Sequence, residues 1–451
     1  MANVKQESIF QRLTPPQYLV IGFAVTILIG AILLSLPIAS EGKPVPFLDA
    51  LFTATSAVCV TGLVVTDTAT TFSTFGEVVI MLLIQTGGLG FMTFATFFAY
   101  LLGKRIGVRE RLLLQQAFNQ SKVGGIVKLV LYILSFTFIL EGIGFTLLSL
   151  RWIPQFGWEK GLYYALFHSV SAFNNAGFDL FGDYGKFSNL THFVNDPLVS
   201  LVISSLLILG GIGFIVLVEL YQYRWTHRIS LHTKLVLVTT GVLLAGGMLA
   251  FLLFEWGNPK TLGPLPLGGK FLASYFQSAT PRTAGFNTVN LSDLYPATAF
   301  LIILLMFVGA SPGSTGGGIK TTTFAAILLA VWGMTRGRED VVTFERTIPH
   351  RQVYKALTVM VASLTLVVVV TMLLTITESS EVFPVLFETV SAFGTVGLTL
   401  GLTPSLSAAG KCLIIGTMFA GRLGPLTIAF ALAKKLETPT IRYPEEKPLI
   451  G

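Results

Sequence analysis

Residues 386–398 read LFETVSAFGTVGL, an apolar stretch with one acidic side chain that runs into a glycine. It is apolar enough to leave water but too short to cross a bilayer, which takes roughly 20 residues of helix. The same pattern occurs three more times: LFTATSAVCVTGL at 51–63, LFHSVSAFNNAGF at 166–178 and SYFQSATPRTAGF at 274–286. Aligned on the glycine, each copy has an aromatic residue ten positions upstream: Phe52, Phe167, Tyr275 and Phe387. The glycines Gly62, Gly177, Gly285 and Gly397 are spaced by 115, 108 and 112 residues. One motif per period of about 110 residues means that the chain is four copies of one unit.

The segments between these motifs set the class. Of 451 residues, 53% are hydrophobic and only 12% charged, against roughly 25% charged in a soluble domain. The chain therefore reads as a polytopic membrane protein. Eight segments are long and apolar enough to span, at about 17–39, 77–101, 126–150, 198–222, 231–256, 297–333, 353–376 and 408–434. The connections after the second, fourth and sixth spans, together with Lys234 at the start of the fifth, carry twelve Lys and Arg, including Lys104, Arg105, Arg109, Arg111, Lys122, Arg224 and Arg351. By the positive-inside rule these connections, and both termini, lie in the cytoplasm of a plasma-membrane protein. The +7 net charge is then an orientation signal rather than a nucleic-acid surface. The polar start reads as an uncleaved tail and not a signal peptide.

Each unit becomes helix, short helix, glycine loop, helix. A short helix that cannot span must enter and return, and non-helical backbone at membrane depth is tolerated only if buried in protein or lining water. Surface hairpins would explain neither the apolarity nor the repetition. The expected fold is an all-α polytopic membrane protein, with four repeats of helix, pore half-helix, filter loop and helix around one pseudo-fourfold pore. The expected boundaries are a tail at 1–16, repeats at 17–101, 126–222, 231–334 and 353–434, linkers at 102–125, 223–230 and 335–352, and a tail at 435–451.

Four loops that turn backbone carbonyls toward one axis can replace a hydration shell and so select cations. Glycine suits the turn because it adopts backbone angles costly to other residues. The candidate ion ligands are Val60, Thr61 and Gly62; Asn175, Ala176 and Gly177; Thr283, Ala284 and Gly285; and Thr395, Val396 and Gly397. The four short helices would add the negative ends of their dipoles beneath the loops. With one glycine per loop, where TVGYG filters have two, weaker discrimination of potassium from sodium is expected.

The strings TSAVCVTGL, SVSAFNNAGF, TPRTAGFNT and SAFGTVGLT resemble the Trk/Ktr/HKT superfamily of potassium transporters, and within it the membrane subunits of Ktr-type systems. The likeness runs over about residues 14–436, and its four motifs agree in order and spacing. The extra N-terminal spans of Trk-type relatives have no counterpart here. The resemblance implies potassium as the transported ion, a filter at the four glycines, a homodimer, and a cytoplasmic nucleotide-binding ring of RCK type as regulatory partner. No cofactor of the chain itself is expected. A sodium-coupled symporter with a stoichiometric sodium site is the alternative, but such folds are typically inverted repeats, whereas all four units here share one orientation.

The second span of each unit carries TGGLGF at 86–91, LGGIGF at 209–214, TGGGIK at 315–320 and AGRLGP at 420–425. Close helix packing accounts for such glycines in the first two. The third lies in GASPGSTGGGIKTTT at 309–323, which superficially matches a phosphate-binding loop. Ile319 between Gly318 and Lys320 breaks that pattern, and apolar runs flank it on both sides. Pro312 with Gly309, Gly313, Gly316, Gly317 and Gly318 instead breaks the span, and the resemblance implies an intramembrane gating loop there.

Arg422 is a charge within a span and therefore a functional candidate. It either contacts the 309–320 loop or repels cations, holding the pathway shut, or it forms a structural salt bridge for which Glu141 is the candidate. Lys320 either pairs with an acid or extends into the cytoplasm. His168 is expected to be packed rather than catalytic, and Glu388 to brace the filter from behind or to face water. Cys59 and Cys412 are expected as two buried thiols. No nucleophile-base-acid arrangement or paired carboxylates occur, so an enzyme is not expected.

Overall fold

A computed structural model describes residues 14–90 and 125–432, with isolated positions at 93, 96, 112, 114, 115, 444 and 446. Lys104, Arg105, Arg109, Arg111 and Lys122, most of both expected tails and most of 91–101 lie outside the described residues. Among the described residues, four helices are each long and apolar enough to cross a membrane: α1 (Pro15–Leu34), α4 (Ile126–Phe156), α8 (Leu231–Glu255) and α12 (His350–Thr377), numbered with the others below in chain order. Their starts follow local chemistry. Pro15 occupies the first turn of α1, where its missing N–H costs nothing, and Gln17 Oε1 accepts from the Thr14 amide at 3.0 Å. Ser230 Oγ accepts from the Thr233 amide at the head of α8. Outward faces carry exposed Val25, Leu28, Phe138, Ile139, Leu249, Leu253, Met372 and Ile376. A continuous apolar surface of this kind requires lipid or protein against it, and the chain is a multi-pass membrane protein.

Each long helix is followed by a short one: α2 (Phe47–Cys59), α5 (Trp158–Phe173), α9 (Leu267–Ala279) and α13 (Val382–Gly394). Their last turns are almost wholly buried. The third helix of each unit is α3 (Thr74–Leu89), α6 (Pro197–Gly211), α10 (Pro296–Phe307) or α14 (Ala408–Leu423). Asp196, Ser73 and Ser407 cap three of these by accepting first-turn amides, the usual answer to unpaired donors at a helix start. The packing has a cyclic order. The third helix of each unit lies on the short helix of the next, α3 on α5, α6 on α9 and α10 on α13, and α14 returns to α2.

The second spans depart from the sequence reading. Residues 198–222 and 408–434 are not single straight helices. The chain bends by 96° between α6 and α7 (Phe214–Thr226), and by 95° between α14 and α15 (Pro425–Leu432). The pivots are Gly213 (φ 96°, ψ 139°) and Gly424 (φ 83°, ψ 139°), and Gly90 ends α3 in the same conformation (φ 82°, ψ 134°). That left-handed φ is open to glycine at little cost. The last glycine of TGGLGF, LGGIGF and AGRLGP is thus a break, and packing alone does not account for it. In the third unit the interruption is longer: α10 stops at Phe307 and α11 (Thr321–Thr335) begins 14 residues on. A short hairpin of β1 (Val341–Thr343) and β2 (Arg346–Ile348) joins α11 to α12.

Candidate ion pathway

Beyond each short helix the backbone repeats one conformation. Gly62, Gly177, Gly285 and Gly397 have φ of 91°, 71°, 76° and 92°, and the residues two before them, Val60, Asn175, Thr283 and Thr395, have φ of 57°, 59°, 71° and 51°. The residues between, Thr61, Ala176, Ala284 and Val396, keep negative φ. Alternating the sign of φ turns successive carbonyls toward one side, the property a carbonyl-lined ion path needs. A left-handed residue other than glycine costs roughly 1–2 kcal/mol, so something must hold Val60 and the two threonines there.

The restraint comes from the end of each short helix. The amides of Thr61, Ala176 and Val396 donate to the carbonyls of Ser56, Ser171 and Ser391 at 2.7–2.8 Å, and Ala284 donates to Thr280 at 3.0 Å. The same four residues also use their hydroxyls. Ser56 and Ser391 accept from the amides of Gly62 (3.0 Å) and Gly397 (3.1 Å). Ser171 and Thr280 donate to the carbonyls of Phe178 and Phe286. The sequence reading missed these four clamps. Their signal was present as a serine or threonine five or six residues ahead of each glycine.

The four glycines close on one another. A Cβ added to Gly62 would lie 3.2 Å from Gly177 Cα, one on Gly177 would lie 2.9 Å from Gly285 Cα, one on Gly285 3.4 Å from Gly397 Cα, and one on Gly397 2.9 Å from Gly62 Cα. Each would also meet the carbonyl oxygen just before the next glycine: Ala176, Ala284, Val396 and Thr61 in turn. Conformation and space therefore both exclude a side chain. On one side of this ring is a cavity of about 460 Å³ lined by all four glycines with Asp67, Asp179 and Asn189. A second, of about 660 Å³, is lined by Gly313, Gly316, Gly318, Lys320 and Arg422.

Buried polar groups brace the ring from behind. Glu388 accepts from the hydroxyls of Thr399 and Thr403 and does not face water. His168 lies among Trp152 and Phe181, with Nδ1 2.7 Å from the Tyr164 carbonyl and Nε2 accepting from the Leu180 amide, so it is packed and structural. Asn174 donates to Glu141 Oε1 (3.0 Å) and to Gln85 Oε1 (2.8 Å), and Gln85 donates to Glu141 Oε2 (3.2 Å). Glu141 is thus occupied by amides, and the alternative of a salt bridge to Arg422 is not realised. Arg282 is buried and donates to Thr240 Oγ1 at 3.1 Å.

The 308–320 segment crosses directly below the ring. Its backbone is fastened to neighbouring units: Ser311 and Thr315 donate to Gly211 and Gly210, Phe214 donates to Gly313, and Gly318 donates to Gly421. Thr315 Oγ1 donates to Asn175 Oδ1 at 3.1 Å, and the Gly317 amide donates to Thr395 Oγ1 at 2.9 Å. Lys320 follows neither sequence expectation. Its Nζ turns back onto the carbonyls of Gly316 (2.7 Å) and Gly317 (3.3 Å). Arg422 donates to the carbonyls of Thr315, Gly87 and Gly88, so of its alternatives the contact with the loop is the one formed. Cys59 is buried as expected, but Cys412 is exposed on α14, because its helix turns that face outward.

Glycine-broken membrane helices, buried left-handed loops in a ring and a cavity on either side define a membrane transport protein. The family model described as TrkH, cation transport protein, matches residues 6–442; the chain belongs to that family, which is one of transporters and not of enzymes. It is 51% identical to the Ktr system potassium uptake protein B of Bacillus subtilis over 98% of this chain and 97% of that one. It is 44% identical to the protein of the same name from Vibrio alginolyticus, over 97% and 95%. The potassium/sodium uptake protein NtpJ of Enterococcus hirae is 41% identical, with both chains fully covered. Among solved structures, the potassium transporter TrkH from Vibrio parahaemolyticus superposes with a TM-score of 0.72, over 92% of this chain and 83% of that one, at 18% identity.

Proposed function

We propose that the chain carries potassium into the cell across the plasma membrane, as the ion-translocating subunit of a Ktr-type system. The observation that carries this reading is the closed ring of Gly62, Gly177, Gly285 and Gly397 between two cavities. The four repeats surround one pseudo-fourfold pore, and the carbonyls of residues 60–62, 175–177, 283–285 and 395–397 stand in for part of the ion's hydration shell. The repeat and linker boundaries read from the sequence are part of this proposal. So are a homodimer and cytoplasmic termini.

The 309–320 loop is the gate. It lies across the path on the side of the larger cavity, and Lys320 and Arg422 hold it there while placing positive charge where a cation must pass. A cytoplasmic RCK-type ring that binds nucleotide would open the pathway by drawing the loop away from Arg422. The name of the Enterococcus relative, which pairs potassium with sodium, favours one second reading, sodium-coupled symport. Reversal potentials of the reconstituted chain decide between them. Values set by the potassium gradient alone support the channel-like reading, and values that move with the sodium gradient at fixed potassium support coupling.

A further inference from the structure

The loop below the ring is held by two kinds of contact, and only one depends on side chains. Its backbone bonds to Gly210, Gly211 and Gly421 would form with any sequence able to approach. Its contacts with the ring itself do not. They fall on the position two residues before the ring glycine, occupied by Val60, Asn175, Thr283 and Thr395, and involve the last three of these. Thr315 Oγ1 donates to Asn175, whose amide in turn is 3.4 Å from Thr283 Oγ1, and the Gly317 amide donates to Thr395 Oγ1. Gly316 and Gly317 both have negative φ, so conformation does not explain them. Proximity does: a Cβ on Gly316 would collide with the Thr283 hydroxyl, and one on Gly317 would lie 2.7 Å from Thr395 Cγ2.

The geometry points to a latch: Asn175 and Thr395 fasten the loop to the selectivity ring, with Thr283 beside Asn175, so that releasing the loop and altering the inner end of the ring are one event. This rests on the reading of the ring as filter and the loop as gate. The three side chains sit on strained left-handed residues at the ring's inner edge, and the loop satisfies the polar atoms of two of them. When the loop leaves, the Thr395 hydroxyl loses its donor and Asn175 Oδ1 loses Thr315. Those oxygens are then free to face the ion. A gate closed over the ring is thus stabilised by the ring's own side chains, and ion entry and loop contact compete for the same atoms. Val60 has no polar atom to offer, which leaves the first unit outside the latch.

Thr395→Val tests this cleanly, because Val60 already occupies the equivalent left-handed position in the first unit. The full-length chain is reconstituted without a cytoplasmic partner, and rubidium flux into liposomes is compared for the parent, Thr395→Val, Thr395→Ser and Thr315→Val, each checked for monodispersity. Losing one hydrogen bond from the closed state should raise basal flux about 2- to 10-fold in Thr395→Val and Thr315→Val, and Thr395→Ser should return it toward the parent. In a chain lacking residues 313–317 the Thr395→Val increment should vanish, as coupled contacts require. An equal increment without the loop, or a silent Thr395→Val where the deletion itself raises flux, overturns the latch and leaves the gate standing. A deletion that changes nothing removes both.

Discussion

Arg422 in the fourth unit donates through one Nη to the carbonyl of Thr315 in the third, and through the other to Gly87 and Gly88 in the first. One guanidinium therefore joins the interrupted helix to the end of α3 across the larger cavity. Its planar fork can reach both sides at once, which an ammonium cannot. Arg422→Ala should raise potassium flux of the isolated chain several-fold, and Arg422→Lys should fall between it and the parent. Flux assays in liposomes report this directly. Parental or lower flux in Arg422→Ala contradicts the restraining role.

Asp179, two residues beyond Gly177, lines the smaller cavity and is half-buried. Its carboxylate accepts from the Phe181 amide and from Asn189 Nδ2, both at 3.0 Å. Burial pushes its pKa up to about 7, the Phe181 amide opposes this, and the nearby Asp67 adds to it. Because the folded pKa is raised, its contribution to stability is present in full at low pH and is lost as pH rises through about 7. Transport should show the opposite sign, since the ionised form attracts cations to the ring. Initial uptake at low potassium should fall as external pH drops from about 8 to 6, around that pKa. Asp179→Asn should remove that slope and sit near the low-pH rate. An unchanged slope in the variant assigns the pH dependence elsewhere.

Glu141, Gln85 and Asn174 form a buried polar cluster between α3, α4 and the loop that carries Gly177. Buried donors that lose their acceptor cost on the order of 1–3 kcal/mol. Glu141→Leu should therefore lower the thermal midpoint of the detergent-solubilised chain by several degrees, while Glu141→Gln, which keeps an acceptor, should shift it much less. Equal midpoints for the two variants would mean that the cluster is not a brace.

The recurring motif was legible because it is written in side chains: an aromatic residue ten positions ahead of each of four glycines. Membrane class followed from the paucity of charge. Other features were not legible because they depend on backbone placement. Gly213 looks like a packing glycine in the sequence and Gly424 carries no signal of its own there, and only their φ shows that the helices bend at both. Lys320 was expected to meet an acid or water; a lysine folding back onto two carbonyls of its own loop has no counterpart in spacing. Arg422 had two open partners, and only the fold places Thr315 rather than Glu141 before it. The hydroxyl clamps Ser56, Ser171, Thr280 and Ser391 were in plain view, yet their role depends on the helix ending where it does.

The ring is the central claim, and serine at each of its four glycines tests it most directly. A side chain there meets a neighbouring carbonyl and a φ of 71–92°, so the carbonyls must shift. Reversal potentials of the reconstituted Gly62→Ser, Gly177→Ser, Gly285→Ser and Gly397→Ser chains should each show a lower preference for potassium over sodium than the parent. Four folded variants that keep the parental preference and apparent potassium affinity would contradict the account, and the ion would have to pass elsewhere.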